Sequence, residues 1–226
     1  MIKMIVFDMA GTVIDENNVV YKTLLEAISA SGYDLTLDQV LEEGAGKEKF
    51  QAIKDIVRKR DDNADHEILM TIFKSFQSKL NDAYRALDIK AQPGAEQLFK
   101  ELKQKGIYVV LNTGYDSTTA HSILEKVGWK EGKQIDAVIT ASDVINNRPQ
   151  PDMIELAKKK LGLSDSDQIA KVGDSIIDIE EGKNAKCALT IGITTGAHSR
   201  DQLLTAKPNA IIGSLSEVMP LLKSKE

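Results

Sequence analysis

The feature that most constrains this chain is a short apolar run, Ile2-Lys3-Met4-Ile5-Val6-Phe7, that stops at Asp8 and is followed by Ala10-Gly11-Thr12. Such a run, closed by an acid and a glycine turn, reads as a buried strand ending in a tight turn. Similar apolar runs occur at residues 107–111, 137–139, 169–172 and 188–193. Helical patterns separate them at 94–105, 117–127, 152–161 and 177–184, and the tail predicts a strand at 210–212 and a helix at 214–222. Strands alternating with helices imply right-handed crossovers and a parallel sheet covered on both faces. The expected class is α/β.

Residues 18–88 break this rhythm and read as helices only, at 20–30, 37–43, 47–59 and 68–87. We therefore expect a core domain formed by residues 1–15 and 91–226, with an all-α domain, residues 16–90, inserted after the first strand. A chain of 226 residues with 42% hydrophobic content can fill one sizeable core and a smaller appended one. The net charge is −5 and there is no basic stripe, which argues against nucleic-acid binding. No apolar run approaches the ~20 residues that span a bilayer. The single cysteine, Cys187, allows no intrachain disulfide and is expected to pack as a small hydrophobe rather than act as a nucleophile. With no signal-peptide pattern at the start, a soluble, cytoplasmic protein is expected, as a monomer or homodimer.

In an open parallel sheet, ligands bind at the carboxyl ends of the strands. Asp8 follows the first strand, Thr113-Gly114-Tyr115 the second, Asn147-Arg148-Pro149 lies beyond the third, and Gly173-Asp174-Ser175-Ile176-Ile177-Asp178 follows the fourth. Asp174 and Asp178, four residues apart at a helix start, can face the same way. Clustered carboxylates repel unless a hard cation joins them, and Mg²⁺ takes oxygen ligands of this kind. A cation would let a carboxylate approach a phosphoryl group, while a hydroxyl and an arginine stabilise its oxygens.

These residues resemble the four motifs of the haloacid dehalogenase-like superfamily, in order and over residues 5 to about 195. The resemblance implies a Rossmann-like core with the helical insertion as its cap. It implies that Asp8 is the nucleophile and that Asp8, the Ala10 carbonyl and Asp174 hold Mg²⁺. Asp178 would orient a metal-bound water, and Thr113 and Arg148 would hold the phosphoryl group.

Ala10 stands where ordinary phosphatases of the superfamily carry a second aspartate that protonates the leaving group. Such general acid–base help is worth roughly 10²–10⁴-fold in rate. The phosphonoacetaldehyde hydrolase (phosphonatase) branch carries alanine there and uses a cap lysine that forms a Schiff base with an aldehyde. The segment Gly46-Lys47-Glu48-Lys49-Phe50-Gln51-Ala52 resembles that lysine motif, with Lys49 at the Schiff-base position and Lys47 as the alternative. Phe7-Asp8-Met9-Ala10-Gly11-Thr12 and Thr113-Gly114-Tyr115 match as well, so Gly114 and Tyr115 join Lys49, Thr113 and Arg148 as expected substrate contacts. Ala52 and Ala45 depart from the branch, which has histidine and methionine at those positions. The substrate expected is a small phosphonate or phosphorylated metabolite. A phosphomonoesterase with its acid elsewhere, or a non-catalytic phosphate-binding regulator, stands as the alternative. Lys49 sits in a charged stretch and reads equally as a solvated helix face. His66, His121 and His198 lack metal-site spacing, and Trp129 reads as packed at a helix end.

Overall fold

A computed structural model of the chain describes residues 1–223. It contains a six-stranded, wholly parallel sheet flanked by helices, an α/β Rossmann-like fold. The strands are β1 (Met4–Asp8), β4 (Tyr108–Thr113), β5 (Ala137–Thr140), β6 (Ile169–Gly173), β7 (Leu189–Ile193) and β8 (Ala210–Ile212), in spatial order β5-β4-β1-β6-β7-β8. The helices between them are α5 (Ala95–Gln104), α6 (Ser117–Val127), α7 (Asp152–Lys160), α8 (Ile176–Asn184) and α9 (Arg200–Thr205), and α10 (Val218–Lys223) closes the described chain.

Because successive strand residues point to opposite faces, β1 sends Ile5 and Phe7 into one hydrophobic layer and Met4 and Val6 into the other. Both faces are covered, so β1 is apolar along its whole length and carries its acid only at the exit. Strand order reverses on the two sides of β1. The crevice of a doubly wound sheet opens at such a switch point, and here Asp8 stands at it, paired in register with Asn112.

After a two-residue strand β2 (Ile14–Asp15) come four helices: α1 (Val19–Ser29), α2 (Leu37–Gly44), α3 (Lys49–Arg58) and α4 (His66–Ala86). They pack through Leu24, Ile28, Ile53, Ile56, Leu69, Ile72 and Phe76, all nearly or wholly buried. The chain returns through β3 (Lys90–Ala91), which pairs antiparallel with β2. This small ladder ties the two crossings between helices and sheet and was not anticipated. The short α9, capped by Ser199 on Gln202, was also missed. Helix α3 starts at Lys49 rather than 47, because the Glu48 side chain accepts from the Phe50 and Gln51 amides and so fixes the helix start. Trp129 packs on Phe99 with ring centroids 4.9 Å apart and donates to Glu96. Cys187 packs beside the second hydrophobic layer, and burial pushes its thiol up to about 12, which suits no nucleophile. No described helix is long and apolar enough to cross a membrane.

Candidate active site

Asp8 lies at the end of β1, while Asp174 and Asp178 lie just beyond β6. The Ser175 hydroxyl caps α8 on the Asp178 amide and also donates to Asp178 Oδ2 at 2.5 Å, so that the capping box aims the carboxylate. Asp174 is locked from both sides. Its Oδ2 accepts from the Ala197 amide at 2.6 Å and its Oδ1 from Thr12 Oγ1 at 3.2 Å. A Cβ on Gly11 or Gly196 would come within 2.4 or 1.9 Å of that Oδ2, so the bare backbones are what let these turns close on the acid.

The three aspartates are buried and offer oxygens all within 4.8 Å of one another. Beneath them lies a polar network absent from the motif reading. Arg148 Nη1 donates to Asp8 Oδ1 at 2.7 Å and lies 3.0 Å from Asp178 Oδ1. Its Nη2 donates to the Asn112 carbonyl and side-chain oxygens, and its Nε is 3.1 Å from Glu181 Oε2. Lys171, wholly buried, reaches Asn112 Oδ1 at 2.7 Å, Asp178 Oδ1 at 2.9 Å and Glu181 Oε2 at 3.2 Å. Arg148 thus turns its guanidinium toward Asp8 and the floor of the site. Lys171 and Glu181 are not among the residues the sequence marks out, and Asn112 is marked only by its place at a strand end. Glu181 had a usable signal: it is three residues from Asp178 on one helix, hence on the same face.

Four buried acids, Asp8, Asp174, Asp178 and Glu181, face two buried cations in this network, so acids outnumber cations by two. Burial and then the Asp178 charge push the Asp8 carboxyl above its usual range; burial and the charges of Asp8 and Asp178 push Asp174 well above it. Asp178 goes the other way, to about 2: burial raises it, but Arg148, Lys171 and Ser175 together outweigh that. Two carboxyls that resist ionisation, an all-oxygen donor set and an excess of two acids over cations fit a hard divalent cation. Among the described residues, this acidic cluster could hold a metal; no histidine belongs to it.

Facing this floor is the loop between α2 and α3. A Cβ on Gly46, at φ +75°, would lie 2.3 Å from Ser175 Oγ, and one on Gly114 would lie 2.6 Å from the Lys47 carbonyl. The loop therefore sits directly on the ends of β6 and β4. The two candidate lysines separate here. Lys47 pairs with Asp55 at 2.6 Å. Lys49 is buried, donates to the Lys47 carbonyl at 2.6 Å, and places Nζ 5.3 Å from the Tyr115 ring centroid and 5.7 Å from that of Tyr21. The solvated-face reading of Lys49 is set aside by this burial. Burial lowers its pKa, an effect that Asp8 opposes and Arg148 reinforces. Thr113 is buried, with Oγ1 accepting from the Tyr115 amide at 3.2 Å. Ala10 forms an isolated bridge to Ile14 in the turn after β1.

A cavity of about 540 Å³ opens beside Lys49, walled by Phe73, Phe76 and Leu80 of α4, Tyr115, Thr119 and Asn147. It has the size and mixed lining of a small-molecule site.

The haloacid dehalogenase-like hydrolase family model matches residues 2–186. The chain belongs to this family. It is accordingly a hydrolase, and its relatives indicate phosphohydrolase chemistry. It is 26% identical over 243 residues to a phosphonoacetaldehyde hydrolase of Latilactobacillus sakei, covering 99% of this chain and 88% of that one. A protein of Dickeya dadantii named "Probable phosphatase IndB" is 35% identical over 128 residues, 56% of this chain and 54% of its own. The crystal structure of a hydrolase from Pseudomonas syringae superimposes with a TM-score of 0.87 at 21% identity, over 98% of both chains.

Proposed function

We propose that this family member is a Mg²⁺-dependent hydrolase that cleaves the C–P bond of a small aldehyde-bearing phosphonate, resembling phosphonoacetaldehyde, through an aspartyl-phosphate on Asp8. Residues 16–90 act as its cap and residues 1–15 and 91–226 as its core. The observation that carries the reading is Lys49: a cap amine, out of water, lowered in pKa and felt by Asp8 across the cap–core seam. Such an amine is the kind that forms imines. The relative named for phosphonoacetaldehyde hydrolysis supports it further.

Asp8, the Ala10 carbonyl and Asp174 would hold the Mg²⁺, with Asp178 oriented by Ser175 behind them. When bound, the cation offsets the charge of the acids and of the phosphoryl group. Lys49 condenses with the aldehyde, and water leaves. Asp8 Oδ attacks phosphorus as the C–P bond breaks, and the bond pair flows into the iminium to give an enamine on Lys49. No alkoxide is expelled, so the step tolerates alanine at position 10. Arg148 keeps Asp8 aimed, and Thr113 and Gly114 border the phosphoryl position. Water then hydrolyses the aspartyl-phosphate, releasing phosphate. Protonation and hydrolysis of the enamine release the aldehyde and free Lys49.

Borohydride reduction in the presence of phosphonoacetaldehyde should trap a mass adduct on Lys49, and Lys47→Ala should trap equally. An unmodified Lys49 together with full turnover in Lys49→Ala would remove the imine step and leave a phosphomonoesterase, which sugar phosphates and phosphoglycolate would reveal.

A further inference from the structure

The missing acid at position 10 and the missing histidine at Ala52 leave the proposed chemistry without a proton carrier. Carbinolamine dehydration and enamine protonation both need one. A buried carboxyl outside the metal cluster stands close by. Glu16 follows β2 at the cap–core crossing and is 3% exposed. Its Oε2 accepts from Tyr84 Oη at 2.8 Å and from the Val20 amide at 3.2 Å. Tyr84 Oη lies 2.8 Å from Tyr115 Oη, and the Tyr115 ring carries Lys49 Nζ over its face. The hydroxyls of Tyr84 and Tyr115 can each donate one way while accepting the other. Glu16, Tyr84, Tyr115 and Lys49 come from four different segments, and the chain of contacts ends at the cavity that Tyr115 and Lys49 both line.

We propose that Glu16 is the proton reservoir of this enzyme, serving the Lys49-bound substrate through the hydroxyls of Tyr84 and Tyr115. Proton release runs Glu16 carboxyl to Tyr84 oxygen, Tyr84 hydroxyl to Tyr115 oxygen, Tyr115 hydroxyl to the substrate atom, and leaves Glu16 a carboxylate with no other change of bonding. Return of the proton reverses each transfer. Glu16 and Tyr84 touch no substrate; they are positioning residues acting through Tyr115. The groups that act on Glu16 are the Val20 amide and Tyr21 on α1, Tyr84 on α4, Tyr115 beyond β4, Lys49 on α3 and Asp8 on β1. Burial, against the help of Tyr84, Val20 and Lys49, pushes its carboxyl up to about 7, where it can both give and take a proton.

The inference rests on the imine reading, and the test separates the two. With Mg²⁺ and phosphonoacetaldehyde, Glu16→Gln should lower kcat by about 10²-fold, move KM little and erase the pH–rate limb near neutrality. Glu16→Asp should restore part of the rate, and borohydride should still trap Lys49. Loss of rate with the limb retained, or no loss, overturns the proposal. If Glu16→Gln does not fold, Tyr84→Phe is read by the same criteria. If wild-type protein traps no adduct, the imine reading has failed, and carbon-13 carboxyl NMR decides for Glu16. A resonance absent from Glu16→Gln, titrating near neutrality and shifted by Tyr84→Phe, supports the reservoir. Titration in the ordinary carboxyl range overturns it.

Discussion

Arg148 and Asp8 meet at 2.7 Å, Nη1 to Oδ1, with both side chains almost entirely out of water. The arginine is held in turn by Asp178, Asn112 and Glu181. Burial alone would lower its pKa, but the three carboxylates around it win, and it stays charged. It is therefore a fixed positive charge that sets the position of Asp8. Removing one partner of such a cluster leaves the others buried and unpaired, which costs about 3–5 kcal/mol. Arg148→Ala should lose stability of that order in urea melts as well as activity. Arg148→Lys keeps the charge but cannot reproduce the fork, and should fold better than alanine while remaining slow.

How far the sequence could be read follows from what each element shows locally. The strand ending at Asp8 was legible because β1 is buried on both faces and must be apolar to its last residue. The helical stretch was legible because strand-like apolar runs give way to helical patterns alone between residues 18 and 88. Lys171 was not, because it sits inside an otherwise apolar strand and finds its partners on α8 and β4 only through the fold. Glu16 and Tyr84 are 68 positions apart, and nothing local in the sequence links them; only the folded chain brings them together. The β2–β3 ladder and α9 are too short to leave a periodic trace.

Metal binding should be visible without turnover. Two buried acids, Asp8 and Asp174, resist ionisation because of burial and the charges of neighbouring carboxylates, so a cation that joins them stabilises the folded state. At a hundredfold excess over Kd the gain is about 2.7 kcal/mol. Thermal melts should rise with Mg²⁺, and Asp174→Asn should abolish the rise. Because both carboxyls must lose protons to bind, the Mg²⁺ shift should shrink as pH falls. A shift independent of pH and retained in Asp174→Asn would place the ion elsewhere.

The close approach of Gly114 to the Lys47 carbonyl predicts a defect of closure rather than of folding. An added Cβ would stand 2.6 Å from that oxygen and 3.0 Å from its carbon, with backbone and not a flexible side chain in the way. Gly114→Ala should push the loop that leads into Lys49 at the start of α3 off the site. Misplacement on that scale can cost about 10²-fold. We expect kcat/KM to fall by that order with melting temperature nearly unchanged; equal activity would show that the loop yields without moving Lys49.

Glu16 and Asp178 should tilt the stability–pH curve in opposite directions. The folded-state carboxyl of Glu16 lies above its ordinary value, 4.5 rising to about 7, so the folded protein binds that proton more tightly than the unfolded chain. Its contribution is complete below about 4.5 and is lost as pH climbs to about 7, by an amount on the order of 3 kcal/mol. Asp178 falls from 3.8 to about 2, so its contribution is present above 3.8 and lost as pH drops toward 2. Asp8 and Asp174 share the sign of Glu16, so the comparison must be by difference between wild type and variant in metal-free buffer. Denaturation series across pH should give a Glu16→Gln curve that lacks part of the decline between pH 4.5 and 7 and leaves the acid arm in place. A Glu16→Gln curve parallel to wild type through that window would mean that Glu16 titrates as an ordinary surface acid, and with it the reservoir would have no proton to hold at neutral pH.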